Sequence, residues 1–331
     1  MPKTRSDSYL YASTRIAIRS NRIFTKEKYD RLISAENQND CFRILSEYGY
    51  IVPDGKERNE IDVFVEEYKS LFSLIDEMAP EKEYFDIYKY PYDAQNLKAL
   101  IKYEIRPALP KEKILMPLGS VNISDAENAV KTHDFAVFPK NLAKAANDAI
   151  ETYAKTRDAQ MIDIIIDKGC FDDMNDAAEK QGEPFCSAFR HFADMTNLRS
   201  FLRAVKMNKN SGFFNLIYVN GGNMPEKDFI SAYENSAEKD ALKILSDICK
   251  NSIYAKIFKK DISAYPLYKI ETLFENIYFE YLSSRKNDIF GPSPMIYYIF
   301  AKQNEIKNAR VIISAKKNGL QNDKIRERIY V

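Results

Sequence analysis

An all-α fold is predicted by three features of the 331-residue sequence: scarce glycine, apolar residues at helical spacing, and a helical block that occurs three times. The 10 glycines are about 3% of the chain against ~7% in an average protein, so tight hairpins and glycine-rich phosphate loops are poorly supplied. In chain order, the first helix is read around Tyr9, Leu10, Ala12, Ile16, Ala17, Ile23 and Phe24 as one apolar face, with Arg15, Arg19 and Arg22 beside it. Ile61, Phe64, Val65, Tyr68, Leu71, Phe72 and Ile75 form a second stripe, ended by Pro80. Phe213 to Val219, before Asn220-Gly221-Gly222, is the best strand candidate and equally continues a helix. Ile270, Leu273, Phe274, Ile277, Tyr278 and Tyr281 repeat the helical spacing late in the chain.

The internal repeat is the most informative pattern. DAQNLKALIK, DMTNLRSFLR and EIKNARVIIS share an acid, then Asn three residues on, then a cation and a pair of apolar residues. Asn96, Asn197 and Asn308 are 101 and 111 residues apart (197 − 96 and 308 − 197). A lysine-rich block precedes them: the segment from Thr25 aligns without gaps to the segment from Pro225, matching Tyr29 to Phe229, Asp40 to Asp240, and Arg43-Ile44-Leu45-Ser46 to Lys243-Ile244-Leu245-Ser246. The middle copy, placed at Pro139 and Leu142, fits only with a shift. Three helical units follow, at 1–110, 111–212 and 213–331, with boundaries near Pro107-Ala108-Leu109-Pro110 and Asn210-Ser211-Gly212.

In each asparagine block the apolar residues make a core stripe, namely Leu97, Leu100 and Ile101; Leu198, Phe201 and Leu202; Ala309, Ile312 and Ile313. Lys98, Lys102, Arg199, Arg203 and Arg310 stand at the repeated cation positions, while Ser314 breaks the pattern. Two readings stay open: a solvated face with the upstream acid making a local hydrogen bond, or equivalent basic faces converging on a pseudo-threefold axis and lining a polar opening.

The remaining composition argues against chemistry. Lys+Arg 49 against Asp+Glu 48 leaves a net charge of +1, so bulk attraction to nucleic acid or anionic lipid is not expected. The aromatics fall at core spacing without an interleaved basic stripe, which favours core filling over base stacking. The longest apolar stretch, Ile289 to Ala301, is interrupted by Gly291, Pro292 and Pro294, so no membrane insertion is expected. The N-terminus lacks an apolar signal core and is not expected to be a signal peptide. Cys41, Cys170, Cys186 and Cys249 lie far apart and read as reduced, buried thiols of a cytoplasmic protein.

Gly49 to Glu57 has five residues between its glycines and Glu57 where a P-loop needs Ser or Thr, so it reads as a turn. His133 and His191 lack partners at metal-ligand spacing. Asp172, Asp173 and Asp176, like Asp163 and Asp167, read as carboxylates on a helix surface. Neither an active site nor a cofactor site is expected.

Taken together, four segments carry a resemblance: YLYASTRIAIRSNRIFTKEKYDRLISAENQNDCFRIL, DAQNLKALIK, HFADMTNLRSFLRAVK and PMIYYIFAKQNEIKNARVIISAKKNGLQNDKIRERI. The chain resembles the C subunit of the bacterial and archaeal V/A-type ATPases, the counterpart of the eukaryotic V-ATPase d subunit. The likeness is weakest from Lys111 to Gln181. It implies three similar helical bundles arranged as a funnel about a pseudo-threefold axis, with no catalytic residue and no cofactor. It also implies a torque-transmitting role between the rotor shaft of subunits D and F and the membrane rotor ring of c/K subunits, driven by ATP chemistry coupled to H⁺ or Na⁺ movement. The protein is then a peripheral member of a complex on the cytoplasmic face of the membrane, monomeric when isolated. Lys98, Lys102, Arg199, Arg203 and Arg310 become candidates for shaft contact, and Arg15, Arg19 and Arg22 for a second contact. The repeats by themselves equally allow a free-standing helical scaffold that binds another protein.

Overall fold

The computed structural model describes residues 5–52, 60–107, 110–235 and 240–329, and every regular element in them is helical. The helices are α1 (Arg5–Ser20), α2 (Lys26–Ile33), α3 (Gln38–Glu47), α4 (Glu60–Met78), α5 (Tyr90–Ile105), α6 (Ile123–Thr132), α7 (Lys140–Thr156), α8 (Ala159–Gln181), α9 (Phe185–Lys206), α10 (Ser211–Ile217), α11 (Glu226–Asn235), α12 (Ala241–Ile248), α13 (Leu267–Arg285), α14 (Ser293–Lys317) and α15 (Asn322–Arg326). The chain packs as two compact units, one from residues 1–82 with 265–331 and one from residues 83–264. Pro53 to Asn59, with most of the glycine-bounded turn, lie outside the described residues, as do Ala108 and Leu109.

In the first unit α14 is the central element, packed by α1, α2, α3, α4, α13 and α15. Most of its circumference is buried, and Lys307, Arg310, Ser314 and Lys317 form the one exposed stripe along its C-terminal half. Ile306, Ala309, Ile312 and Ile313 meet Leu32, Ile33, Phe42, Leu45, Val63 and Phe64 in one apolar cluster. The stripes read on α4 and α13 are buried at Phe64, Leu71, Phe72 and Ile75, and at Ile270, Phe274, Ile277 and Tyr278. The side chain of Ile61 lies outside the described residues.

The face predicted on α1 is only partly right. Tyr9, Ala12, Ser13 and Ile16 are buried, but Leu10 is 41% exposed and Ala17 is exposed. At 100° per residue, Leu10 and Ala17 are turned away from the Tyr9–Ile16 side. The helix stops at Ser20, and Phe24 reaches the core from the following turn.

In the second unit α7 and α8 form a long antiparallel hairpin, and α8 also packs on α5 and α9. Phe213 to Val219 is helical through Ile217, because Asn210 caps α10 by accepting the Phe213 N–H at 2.8 Å. Phe201, Phe214 and Phe229 then stack edge-on or tilted, with centroids 5.1–5.5 Å apart, to fill the core between α9, α10 and α11.

Gly169 sets how closely α7 and α8 approach, since a Cβ there would lie 2.5 Å from the Ala145 Cβ and 2.9 Å from the Asn141 carbonyl oxygen. Gly169→Val is expected to push the hairpin apart and destabilise the protein by about 1–3 kcal/mol, read from urea denaturation.

Candidate functional site

Each of the three asparagine blocks places a buried acid and a buried asparagine against a distant segment; in the first two both grip a loop by its backbone, and in the third the acid does. On α5, Asp93 accepts the Ser120 N–H and hydroxyl at 2.9 and 2.6 Å and the Val121 N–H at 3.0 Å. Asn96 both donates to the Met116 carbonyl and accepts its N–H, each at 2.8 Å. On α9, Asp194 accepts the Met224 N–H at 3.0 Å and the Asn223 amide at 2.8 Å. Asn197 likewise pairs with both backbone groups of Val219 at 2.9 Å. All four side chains are at most 1% exposed. The upstream acid therefore makes a long-range tertiary bond, in place of the local one considered from sequence.

On α14 the acid is Glu305, and it accepts the Phe24 N–H at 2.7 Å and the Tyr50 hydroxyl at 2.8 Å. Asn308 hydrogen-bonds the Tyr29 side chain. Thus the last repeat helix grips the start of the first lysine-rich block, as α5 grips Val121 and α9 grips Met224. Each asparagine helix holds the entrance to the next block, and the third holds the first. This register also places the middle block at Asn122, on α6 and α7, instead of at Pro139.

The length of the acid follows what it must accommodate. Where the loop carries glycine two residues before the gripped amide, the acid is Asp. A Cβ on Gly119 would fall on the Asp93 carboxylate, and one on Gly222 would lie 2.5 Å from Asp194 Oδ1. In the third copy the matching loop residue is Arg22 and the acid is Glu.

The repeated cations do not share one environment. Lys98 and Lys102 pair with Asp167 and Asp163 of α8, each at 2.5 Å, and the Lys98 side chain is only 16% exposed. Arg199 is half-buried, and Arg203 and Arg310 are exposed. Arg15 pairs with Glu77 at 2.9 Å, while Arg19 and Arg22 line an open cleft of about 330 Å³ in the first unit. At its base Lys302 bridges Glu67 and Glu305 at 2.6 Å each. Although burial opposes its charge, those carboxylates hold the Lys302 ammonium above its ordinary pKa.

The other carboxylates are structural too. Asp173, read from sequence as a surface group, is 6% exposed and caps α7 by accepting the Asn141 and Leu142 N–H groups at 2.9 and 2.7 Å. Asp176 accepts the Asn141 amide and Asp172 the Asn220 amide. All four cysteines are buried and unbridged. His133 caps α6 in a left-handed conformation, and His191 lies 4.0 Å from Asp194. Among the described residues no cluster of His, Cys, Asp and Glu is arranged to hold a metal.

The sequence profile of a known family matches residues 12–328, a span that includes all three clasp helices. The chain belongs to the ATP synthase (C/AC39) subunit family. Among its relatives is the C subunit of the V-type sodium ATPase of Enterococcus hirae, 23% identical, with 94% of each chain covered. Another is the C subunit of the A-type ATP synthase of Methanocaldococcus jannaschii, 22% identical over 96% of this chain and 85% of the relative. As a C/AC39 family member the protein is an accessory chain of a V/A-type ATPase, and the clasps lie on the three helices that share the asparagine block.

Two outcomes test the clasps. Asp194→Ala leaves buried N–H donors unpaired and should cost about 1–3 kcal/mol, with Gly222→Ala costing a comparable amount, both measured by denaturant unfolding. Burial pushes the Asp93 and Asp194 carboxyls above the ordinary range, against the pull of the donors that face them. A raised folded-state pKa means the folded protein holds the proton longer. The stability from each group is therefore fully present below the unfolded pKa and declines as pH rises through the folded value. In thermal melts across the mildly acidic range, Asp194→Asn should flatten that part of the pH dependence.

Proposed function

We propose that this chain is the non-catalytic central-stalk subunit of a V/A-type rotary ATPase. In this reading it seats the D–F rotor shaft, rests on the membrane rotor ring of c/K subunits, and passes torque between ATP chemistry and H⁺ or Na⁺ movement. The observation that carries it is family membership over residues 12–328, nearly the whole chain. The clasps support a mechanical role, because buried charge-assisted hydrogen bonds fix loops to helices without adding chemistry. No helix among the described residues is long and apolar enough to cross a membrane, and in this reading the chain attaches through protein contacts, peripheral on the cytoplasmic face.

The units 1–110, 111–212 and 213–331 are the three walls of the proposed socket. Arg199, Arg203 and Arg310 are its proposed shaft contacts, meeting carboxylates or carbonyl groups of the shaft tip. Lys98 and Lys102 belong to the same set, but a shaft carboxylate there competes with Asp167 and Asp163.

Gel filtration with light scattering tests the reading on the purified chain, alone and mixed with the D–F complex of the same organism. The expected result is a monomer that co-elutes with the shaft in a one-to-one-to-one assembly. Arg199→Glu combined with Arg203→Glu should weaken that binding about tenfold or more while the melting profile stays cooperative. A folded chain that ignores both shaft and ring supports a free-standing helical scaffold instead.

A further inference from the structure

The helix α1 has two apolar faces, and among the described residues only one of them is packed into the core. Tyr9, Ala12 and Ile16 pack inward, whereas Leu10, Tyr11 and Ile18 are 41%, 64% and 60% exposed. With Thr14 and Ala17, both exposed, these residues occupy positions i, i+1, i+4, i+7 and i+8 and form one continuous outer stripe along the helix. At the C-terminal end of the stripe, Arg19 and Arg22 line the cleft together with Leu74 and Ile51, the latter 63% exposed. The cleft acids are already engaged: Glu77 by Arg15, and Glu67 and Glu305 by Lys302. Among the described residues Arg19 and Arg22 take part in no ion pair.

We propose that this face docks an amphipathic helix of a partner protein, whose apolar side covers Leu10, Tyr11 and Ile18 and whose end carries carboxylates that enter the cleft toward Arg19 and Arg22. The proposal rests on the reading above that the chain works inside a multisubunit ATPase. Charge selects the occupant. α1 holds Arg5, Arg15 and Arg19 against the single acid Asp7, with Arg22 just beyond it, so a second copy laid on this face would bring net positive charge against net positive charge. A planar anionic membrane fits poorly, because Arg19 and Arg22 line a concave cleft that a flat surface does not enter. A helix with acidic residues beyond its apolar stripe satisfies both halves, as helix-in-groove contacts do.

The test is photocrosslinking in the assembled complex, with a benzophenone amino acid placed at Ile18 and, separately, at Tyr11. The complex is purified through a different subunit, and the adducts are located by mass spectrometry. The expected result is one partner segment that carries apolar residues at helical spacing and at least two Asp or Glu at one end. Arg19→Glu with Arg22→Glu should cut the adduct yield about tenfold while the melting temperature holds, since both side chains are solvent-accessible. Ile18→Ser supplies a second, uncharged variant that should lower the yield of the Tyr11 adduct. Adducts to lipid, to a second copy or to a segment without acids overturn the proposal, as does no adduct in a complex that contains the chain. A chain absent from the purified complex overturns this proposal together with the stalk reading.

Discussion

The buried carboxylate is the constraint on which the rest of the structure depends. Asp93, Asp194 and Glu305 each stand on a long helix inside an apolar core, where an ionised group without partners is strongly disfavoured. Asp93 and Asp194 are tolerated because a loop from far along the chain brings N–H groups to each, and Glu305 because the Phe24 N–H, the Tyr50 hydroxyl and the Lys302 ammonium converge on it. That requirement fixes where the loop runs, which fixes where the following helix begins. It also decides glycine against arginine at the loop and Asp against Glu on the helix. A helix bundle held by apolar contacts alone can slide by a turn, whereas bidentate backbone pairing at Asn96 and Asn197 admits one register.

Much of this was legible in the sequence. The helical class and the stripes on α4 and α13 came from short-range periodicity, and the three asparagine helices from a block that recurs about every hundred residues. What those asparagines do was not legible, because their partners lie far along the chain and consist mainly of main-chain atoms. One trace was present: Gly119-Ser120-Val121 and Gly222-Asn223-Met224 both place glycine two residues before an apolar residue. In a chain this poor in glycine, that coincidence marks a close approach. The recurring cations were equally visible, yet recurrence did not fix their surroundings. Lys98 and Lys102 are drawn into pairs with α8, while Arg310 remains exposed. The outer face of α1 escaped the sequence because a set of apolar residues does not say which of them turn inward.

Polar work is divided unevenly between the interior and the surface. The strongest hydrogen bonds lie inside, where water does not compete and where loss of any one leaves an unsatisfied group. The first unit goes further, since Lys302, Glu67, Glu305 and Tyr50 join α14, α4 and the segment after α3 in one buried network. Such a network resists shear between helices better than apolar contact, which is indifferent to small displacements.

The bond from the Phe24 N–H to Glu305 has a consequence for how the protein is made. On the ribosome the first helices emerge long before the helix that completes their core. Until α14 appears, Leu32, Ile33, Phe42 and Leu45 have no Ile306, Ile312 or Ile313 to cover them. The 83–264 unit is contiguous in sequence and has all its own residues by then, so it is free to consolidate while the opening segment waits. Until α14 is made, the side of α2 and α3 that it will cover therefore stays open, and α14 seals it once it is there.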